Sequence, residues 1–214
     1  MEIAFIGDSF VSGTGDPEYL GWVGRLCAET ALRGYQFTMY NLGVRQDTSA
    51  DIKKRWLREL SYRFRQGEKN HVVFSFGVRD TALKKGKPRV NLQDSLNNTY
   101  SIFEVAKKSF PVLAIGPPPV ANAQHNQRIY RLSEAFFSVC IELDIPYLDI
   151  FTPLSSSTAW MQEVRENDGI HPYIEGYAEL ADLIQNWSPW VSWFASHYSV
   201  NHRRSRSPKS LYFN

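Results

Sequence analysis

With 214 residues, the chain is long enough for one sizeable α/β domain and short for two. Its composition, 43% hydrophobic and 21% charged, is typical of a globular protein and excludes the fibrous and disordered classes. There are 24 Lys and Arg against 22 Asp and Glu, but four of the basic residues lie in the last twelve positions, which leaves a nearly neutral body of 20 against 22. Nucleic acid is therefore not an expected partner.

The apolar segments are all too short to cross a bilayer, which needs about 20 residues. The first of them, residues 3–6, is of strand length and has no basic region before it, so export is disfavoured and a cytoplasmic location is expected. Cys27 and Cys140 lack the spacing of a metal or redox pair and are predicted to be reduced core residues.

Short apolar and β-branched runs alternate with amphipathic segments along the chain. The predicted strands are residues 3–6, 36–42, 71–76, 111–115 and 146–150. The predicted helices are residues 21–34, 49–66, 90–109, 126–144 and 173–187. This alternation predicts a three-layer α/β/α fold with a doubly wound, mainly parallel sheet of five strands, as in flavodoxin-like proteins. We expect one domain over residues 1–202 and a basic tail over 203–214 that is flexible or docked on a neighbour.

A glycine or a proline-stiffened turn follows each of the first four strands, at the sheet edge where such folds bind ligands. The first of these turns, Gly7-Asp8-Ser9, places a hydroxyl between glycines. Near the other end of the chain, Asp168 precedes His171 by three residues, so one loop can hold a carboxylate against the imidazole Nδ1 and leave Nε2 for a serine. The residues therefore predict a nucleophile, an orienting acid and a base in the order Ser9, Asp168, His171. Backbone N–H groups of Ser9 and Gly43, with a side chain at position 79, are the candidate oxyanion donors.

Four elements in order resemble the GDSL/SGNH hydrolase family: Gly7-Asp8-Ser9, Gly43, residues 77–80 and residues 168–171. The resemblance extends to about Trp187 and implies an esterase or lipase-like acylhydrolase that needs no metal ion or organic cofactor. It also implies Ser9 as nucleophile, His171 as general base and acid, Asp168 as orienter, and Ser9 and Gly43 as oxyanion donors.

The chain departs from the family at Arg79, where the family pattern Gly-x-Asn-Asp has asparagine. An arginine can still donate to an oxyanion, but it is longer and can instead bind an acidic substrate or Asp80. Asp8, Asp80 and Pro118 of the same loops are the candidates for contact with substrate.

The expected activity is hydrolysis of a small or medium acyl ester or thioester through an acyl-enzyme, with a small-molecule ester as the partner. Two alternatives remain open. The hydroxyl-rich segment 9–15 suits a flavodoxin-like phosphate or nucleotide binder, although Asp8 and Asp16 place negative charge beside it. Arg79 suits a catalytically weakened family member that binds a ligand or partner.

Outside these loops the sequence favours structural roles. Trp187, Trp190, Trp193 and Phe194 recur at helical spacing and are predicted to pack, with a homo-oligomer contact or an acyl-chain surface as the lesser alternatives. The other histidines are predicted to be structural or solvated, with a place in the cleft wall as the lesser alternative for His125, which follows the proline turn.

Overall fold

The computed structural model describes residues 1–195. Its main sheet consists of five parallel strands: β1 (Glu2–Gly7), β2 (Thr38–Gly43), β3 (Asn70–Ser75), β6 (Val112–Ile115) and β7 (Tyr147–Leu148). Two short strands, β4 (Leu83–Lys84) and β5 (Lys87–Pro88), form a separate antiparallel hairpin. The predicted tail, 203–214, lies outside the described residues.

Nine helices connect and cover the strands of the described part of the chain. They are α1 (Gly21–Leu32), α2 (Ser49–Ser61), α3 (Val78–Thr81), α4 (Leu92–Lys107), α5 (Ala123–Glu142), α6 (Phe151–Ser156), α7 (Thr158–Glu166), α8 (Ile174–Gln185) and α9 (Ser188–Ala195).

The strand order is β2-β1-β3-β6-β7, so the chain winds from β1 in one direction to β2 and then in the other to β3. Both faces of the sheet are buried, and side chains alternate between two apolar layers, as the two-residue period of a strand requires. In β1, Ile3 and Phe5 pack with the layer that contains α1, α7, α8 and α9, whereas Ala4 and Ile6 pack with the layer of α2, α4 and most of α5. The fold is therefore the predicted three-layer, doubly wound α/β/α arrangement.

The sequence prediction located the five main strands and the five longest helices but missed several short elements. The hairpin β4-β5 and the helix α3 follow β3, and α6 and α7 occupy what was predicted as a loop after the fifth strand. That fifth strand has only two paired residues, Tyr147 and Leu148, because it meets β6 only over Ala114 and Ile115.

The aromatic stripe near the end of the described chain packs inside the molecule. Trp190 and Phe194 are buried in the same apolar layer as Phe5, and Trp187 and Trp193 pack against that layer from its edge. Because the stripe is covered by the chain itself, the suggested homo-oligomer contact through this region has no support from the structure.

Cys27 and Cys140 are free thiols in the buried layers, as predicted. Burial raises the pKa of each to about 12, so both are protonated and unreactive at neutral pH. Among residues 1–195, the helices are either too short or too polar to cross a membrane.

Candidate active site

Three side chains from opposite ends of the chain form a hydrogen-bonded series at the carboxyl edge of the sheet. The Oγ of Ser9 lies 2.8 Å from Nε2 of His171, and Nδ1 of His171 lies 2.7 Å from Oδ2 of Asp168. The structure thus brings together the three residues predicted from the sequence, although Ser9 and His171 are 162 positions apart.

Ser9 is positioned by the turn after β1, at the point where the winding direction of the sheet reverses and such folds bind ligands. Gly7 permits this turn, because a Cβ there would lie 1.9 Å from the carbonyl oxygen of Ser75 in β3. Asp8 fixes the turn from below by accepting a hydrogen bond from the N–H of Phe10 at 3.0 Å. The Phe10 ring then packs on the His171 ring, with 4.9 Å between centroids.

His171 is held by the loop between α7 and α8. One oxygen of Asp168 accepts from the N–H groups of Ile170 and His171 at 2.9 and 2.8 Å, which leaves the other for the imidazole. Glu163 of α7 accepts from the N–H of Gly176 at 2.7 Å and from two further N–H groups at the start of α8. This carboxylate satisfies the N-terminal donors of α8 directly after the histidine, a role that the sequence prediction missed.

The charge states of the pair suit proton transfer. Burial lowers the pKa of His171 below its ordinary 6.5; the bond to Asp168 opposes this, and Arg45 and Arg79 lower it further. Burial would raise the pKa of Asp168, but its hydrogen bonds from the backbone and ring of His171 outweigh burial and lower it. At neutral pH the imidazole is neutral and the carboxylate is charged, the combination that a general base requires.

The predicted oxyanion donor at Gly43 is not at the cleft. Its N–H donates to Oδ1 of Asn41 at 3.0 Å, and its α-carbon packs so closely under Ser12 that a Cβ would lie 2.2 Å from the Ser12 nitrogen. The residues that reach the cleft from this loop are Arg45 and Gln46, two and three positions later. Sequence reasoning chose the glycine because it directly follows a strand, but the chain continues past it before it turns toward Ser9.

Gln46 adopts a left-handed backbone conformation with φ of 72°, which is strained for a residue other than glycine. Its N–H has no hydrogen-bond partner among residues 1–195, and neither has the N–H of Ser9. The polar pair Gln46-Asp47, just before the helix cap of α2, could have identified this position. Such a pair indicates that the chain turns here rather than at the end of the strand.

Arg79, which replaces the family asparagine, lines the same cleft. Its Nη2 donates to Oε1 of Gln46 at 3.1 Å, whereas its Nε is buried without a partner in the described chain. Arg45 enters the cleft from the same loop as Gln46. The cleft encloses a space of ≈ 80 Å³, small beside the 300–1,000 Å³ of usual small-molecule sites.

The three predicted substrate contacts differ in position. Asp8 lines the cleft, although it is only 2% exposed, and burial raises its pKa to about 7. Asp80 is fully buried and accepts from the N–H of Ser49 at 2.8 Å and the hydroxyl of Ser95 at 2.7 Å, so it joins α2 and α4 beneath the cleft. Pro118 is buried too and is not part of the lining.

His125 lines the cleft, which was the less favoured of the two predictions made for it from the sequence. Its Nε2 is 2.9 Å from the hydroxyl of Thr81, and burial lowers its pKa, so the ring is a neutral part of the wall.

The phosphate-binding alternative meets an obstacle at α1. The N–H of Gly21 at the start of this helix donates to Asp16 at 2.7 Å, and Arg25 pairs with the same carboxylate. The chain therefore supplies its own anion where a bound phosphate would lie. Among residues 1–195, no three His, Cys, Asp or Glu side chains are placed to hold a metal ion.

A doubly wound sheet with a serine and histidine meeting at its switch point is the architecture of the SGNH-type ester hydrolases. The model of the GDSL-like lipase/acylhydrolase family matches residues 5–179, so the chain belongs to that family and is a carboxylic ester hydrolase.

Solved structures share the fold at low sequence identity. A lipase/acylhydrolase from Enterococcus faecalis is 23% identical, with a TM-score of 0.71 over 86% of this chain and 93% of that one. The acetylxylan esterase Axe2 from Geobacillus stearothermophilus is 16% identical, with a TM-score of 0.68 over 88% and 95%. The esterase EstA from Pseudoalteromonas sp., in a structure inhibited by monoethylphosphonate, is 15% identical, with a TM-score of 0.69 over 90% and 98%. No curated protein is similar enough in sequence to match.

Proposed function

We propose that the chain is a serine esterase that hydrolyses esters or thioesters of short acyl groups through a covalent intermediate on Ser9. The observation that carries this is the unbroken series from Ser9 Oγ through the His171 ring to Asp168, at 2.8 and 2.7 Å. Hydrogen-bond distances of this size let the imidazole take the serine proton as the oxygen attacks.

The reaction follows from the protonation states. With Nδ1 protonated and donating to Asp168, Nε2 of His171 accepts the Ser9 proton while Oγ bonds to the acyl carbon. The imidazolium then gives that proton to the departing alcohol oxygen, which leaves the acyl group on Ser9. Water attacks this ester, His171 takes a proton from the water and returns it to Ser9, and the carboxylic acid leaves.

The negative oxygen of each tetrahedral intermediate needs donors. We assign them to the free N–H groups of Ser9 and Gln46, in place of the expected Gly43, with the guanidinium of Arg79 adding positive charge from the same wall. This assignment rests on the position of Gln46 in the lining and on its unpartnered N–H.

The size of the cleft favours short acyl groups. About 80 Å³ accommodates an acetyl group more readily than a fatty acyl chain, and Phe10, Ile170 and His125 close its walls. The similar fold of an acetylxylan esterase is consistent with an acetyl ester as the substrate type.

The test combines turnover and labelling. The wild type is expected to hydrolyse p-nitrophenyl acetate faster than the octanoate and to react once with a fluorophosphonate. Ser9→Ala removes both activities, with turnover falling by a factor of about 10⁶. Ser138→Ala, at an exposed site on α5, serves as the matched control and retains both. A wild type that neither turns over nor labels would contradict the esterase and support a family member that only binds its ligand.

A further inference from the structure

Basic side chains line the cleft and occupy the hairpin that begins beside it, although the described body is not basic. Residues 1–195 contain 20 Lys and Arg against 22 Asp and Glu. We call one group the basic rim: Arg45, Arg79, Arg89, Lys84, Lys85 and Lys87. Arg45 and Arg79 line the cleft itself, and the lysines are exposed on the hairpin that begins next to Ala82, another lining residue.

The arginines of the basic rim are not neutralised by the protein. Within residues 1–195, Arg45, Arg79 and Arg89 form no ion pair, and the nearby carboxylate of Asp47 is already bound by Arg55 at 2.6 Å. The Nε atoms of Arg79 and Arg89 are buried without a partner. A guanidinium group that loses water and gains no acceptor is unfavourable, unless a ligand completes its shell.

The rim arginines also act on one another. Burial lowers the pKa of Arg79, and the charges of Arg89 and Arg45 lower it further, while Asp8 opposes them. Asp8 itself has a pKa of about 7, so it is only partly charged at neutral pH and compensates the rim incompletely. Arg45 and Arg79 therefore place positive charge in the cleft that Asp8 offsets only in part, while the charge of Asp168 is directed to the His171 ring.

Gln46 holds one of these groups in position. Its side-chain oxygen accepts from Nη2 of Arg79 and so directs the guanidinium along the cleft wall. An arginine has five N–H donors, so Arg79 can contact the reaction oxyanion and a second negative group at once. A guanidinium presents these donors as a planar fork that matches carboxylate and phosphate oxygens.

We propose that the enzyme selects esters whose alcohol part carries an oxyanionic group, a carboxylate or a phosphate, which Arg45 and Arg79 bind while Ser9 attacks the acyl carbonyl. We place the charged group on the alcohol part because the proposed acyl group is short, whereas the leaving group can extend past Arg45 and Arg79 toward the exposed hairpin that begins next to Ala82. This inference rests on the proposed esterase function.

Matched acetate esters test the proposal. The substrates are 4-acetoxybenzoate, its neutral methyl ester and 4-acetoxyphenyl phosphate, which share a phenyl acetate core and differ in charge. We expect kcat/KM to be at least tenfold higher for an anionic ester than for the neutral one, which corresponds to about 1.4 kcal/mol. The anionic ester with the higher kcat/KM shows whether the recognised group is a carboxylate or a phosphate. The preference should shrink as salt is raised from 0.05 to 0.5 M, because ions screen the exposed lysines.

Variants locate the preference. Arg45→Gln and Arg79→Gln should each reduce the ratio of anionic to neutral kcat/KM by about tenfold or more, mainly through KM. Arg33→Gln, which removes the same charge from the far end of α1, is the matched control and should leave the ratio unchanged. Because the ratio is taken within each variant, a general loss of activity or folding does not affect it.

The outcomes separate this proposal from the esterase function. Equal kcat/KM for charged and neutral esters, or a preference that survives both arginine substitutions, overturns the anion specificity while Ser9-dependent turnover leaves the esterase intact. No turnover of any of the three esters together with no fluorophosphonate label overturns both.

Discussion

The two sides of the cleft balance their charges differently. On the base side, Asp168, His171 and Glu163 have every charged oxygen or ring nitrogen within hydrogen-bond distance of a named group of the chain. On the oxyanion side, Arg45 and Arg79 have no carboxylate partner in the described chain, and Gln46 is held in a strained conformation. The base side has its hydrogen bonds formed without substrate, whereas the oxyanion side keeps donors that no other residue of the described chain binds.

This difference suggests a division of labour. A saturated network is rigid, and removal of one member leaves a buried partner unsatisfied, so changes there should abolish chemistry. Donors without a partner in the chain leave no buried group unsatisfied when they are removed, so changes on the oxyanion side should alter selectivity and stability by smaller amounts.

The largest effect is expected at the base side from Asp168→Asn. The asparagine oxygen can still accept from the N–H groups of Ile170 and His171, which lie 2.9 and 2.8 Å from the Asp168 oxygen in the wild type, so the loop should keep its shape. Its amide group, however, would face Nδ1 as a donor and impose the wrong tautomer on the ring, which lowers kcat by about 10⁴. The measurement is kcat on p-nitrophenyl acetate together with thermal unfolding.

Asp182→Asn, at an exposed position of α8, provides the matched control and should keep the wild-type kcat. A variant of Asp168 that retains more than a tenth of the wild-type kcat while folded would mean that the carboxylate does not orient the ring.

The two sides also differ in how much the sequence predicts. Asp168 and His171 could be predicted because their contact is local: three residues of spacing in a short loop nearly determine it. The contact between Ser9 and His171 could be predicted because Ser9 directly follows β1 at the carboxyl edge of the sheet, and the chain after the fifth strand leads to His171 from the same edge. The five main strands were equally predictable, because each contains a short apolar or β-branched run that is bounded by turn residues or amphipathic segments.

The oxyanion side could not be predicted as well, because a backbone N–H has no sequence signal of its own. Its direction depends on where the chain turns after β2, and only the left-handed conformation of Gln46 reveals that turn. Asp80 was misjudged for a related reason. A carboxylate next to Arg79 suggests the cleft, but α3 is a single turn that rotates it inward to Ser49 and Ser95.

The next effect links the two sides through pH. Because the neutral imidazole is the active form and burial lowers its pKa below 6.5, kcat/KM should reach its plateau by neutral pH and fall about tenfold per unit below the pKa of His171. The positive charges of Arg45 and Arg79 contribute to that low pKa. Arg79→Gln should therefore raise the pKa of His171 and move the acid limb to higher pH.

This profile can be recorded with a pH-stat on a neutral acetate ester, so that substrate charge does not enter. The charge-matched Arg33→Gln should leave the limb in place, since Arg33 pairs with Glu29 on α1. An acid limb that does not move in Arg79→Gln would show that the two sides are electrostatically independent.

The smallest effect is on stability at the oxyanion side. Gln46→Gly should stabilise the fold by about 0.5–1 kcal/mol. Glycine adopts the φ of 72° without the left-handed penalty of about 1–2 kcal/mol, and the greater conformational entropy of glycine in the unfolded chain offsets part of this gain. For a chain of this size the melting temperature should rise by about 1–4 °C. Gln36→Gly, at a position without positive φ, is the matched control and should lower it. Thermal unfolding followed by circular dichroism measures both. If Gln46→Gly were destabilised as much as the control, the bond from Arg79 to the Gln46 side chain would outweigh the strain, and the oxyanion side would be as tightly built as the base side.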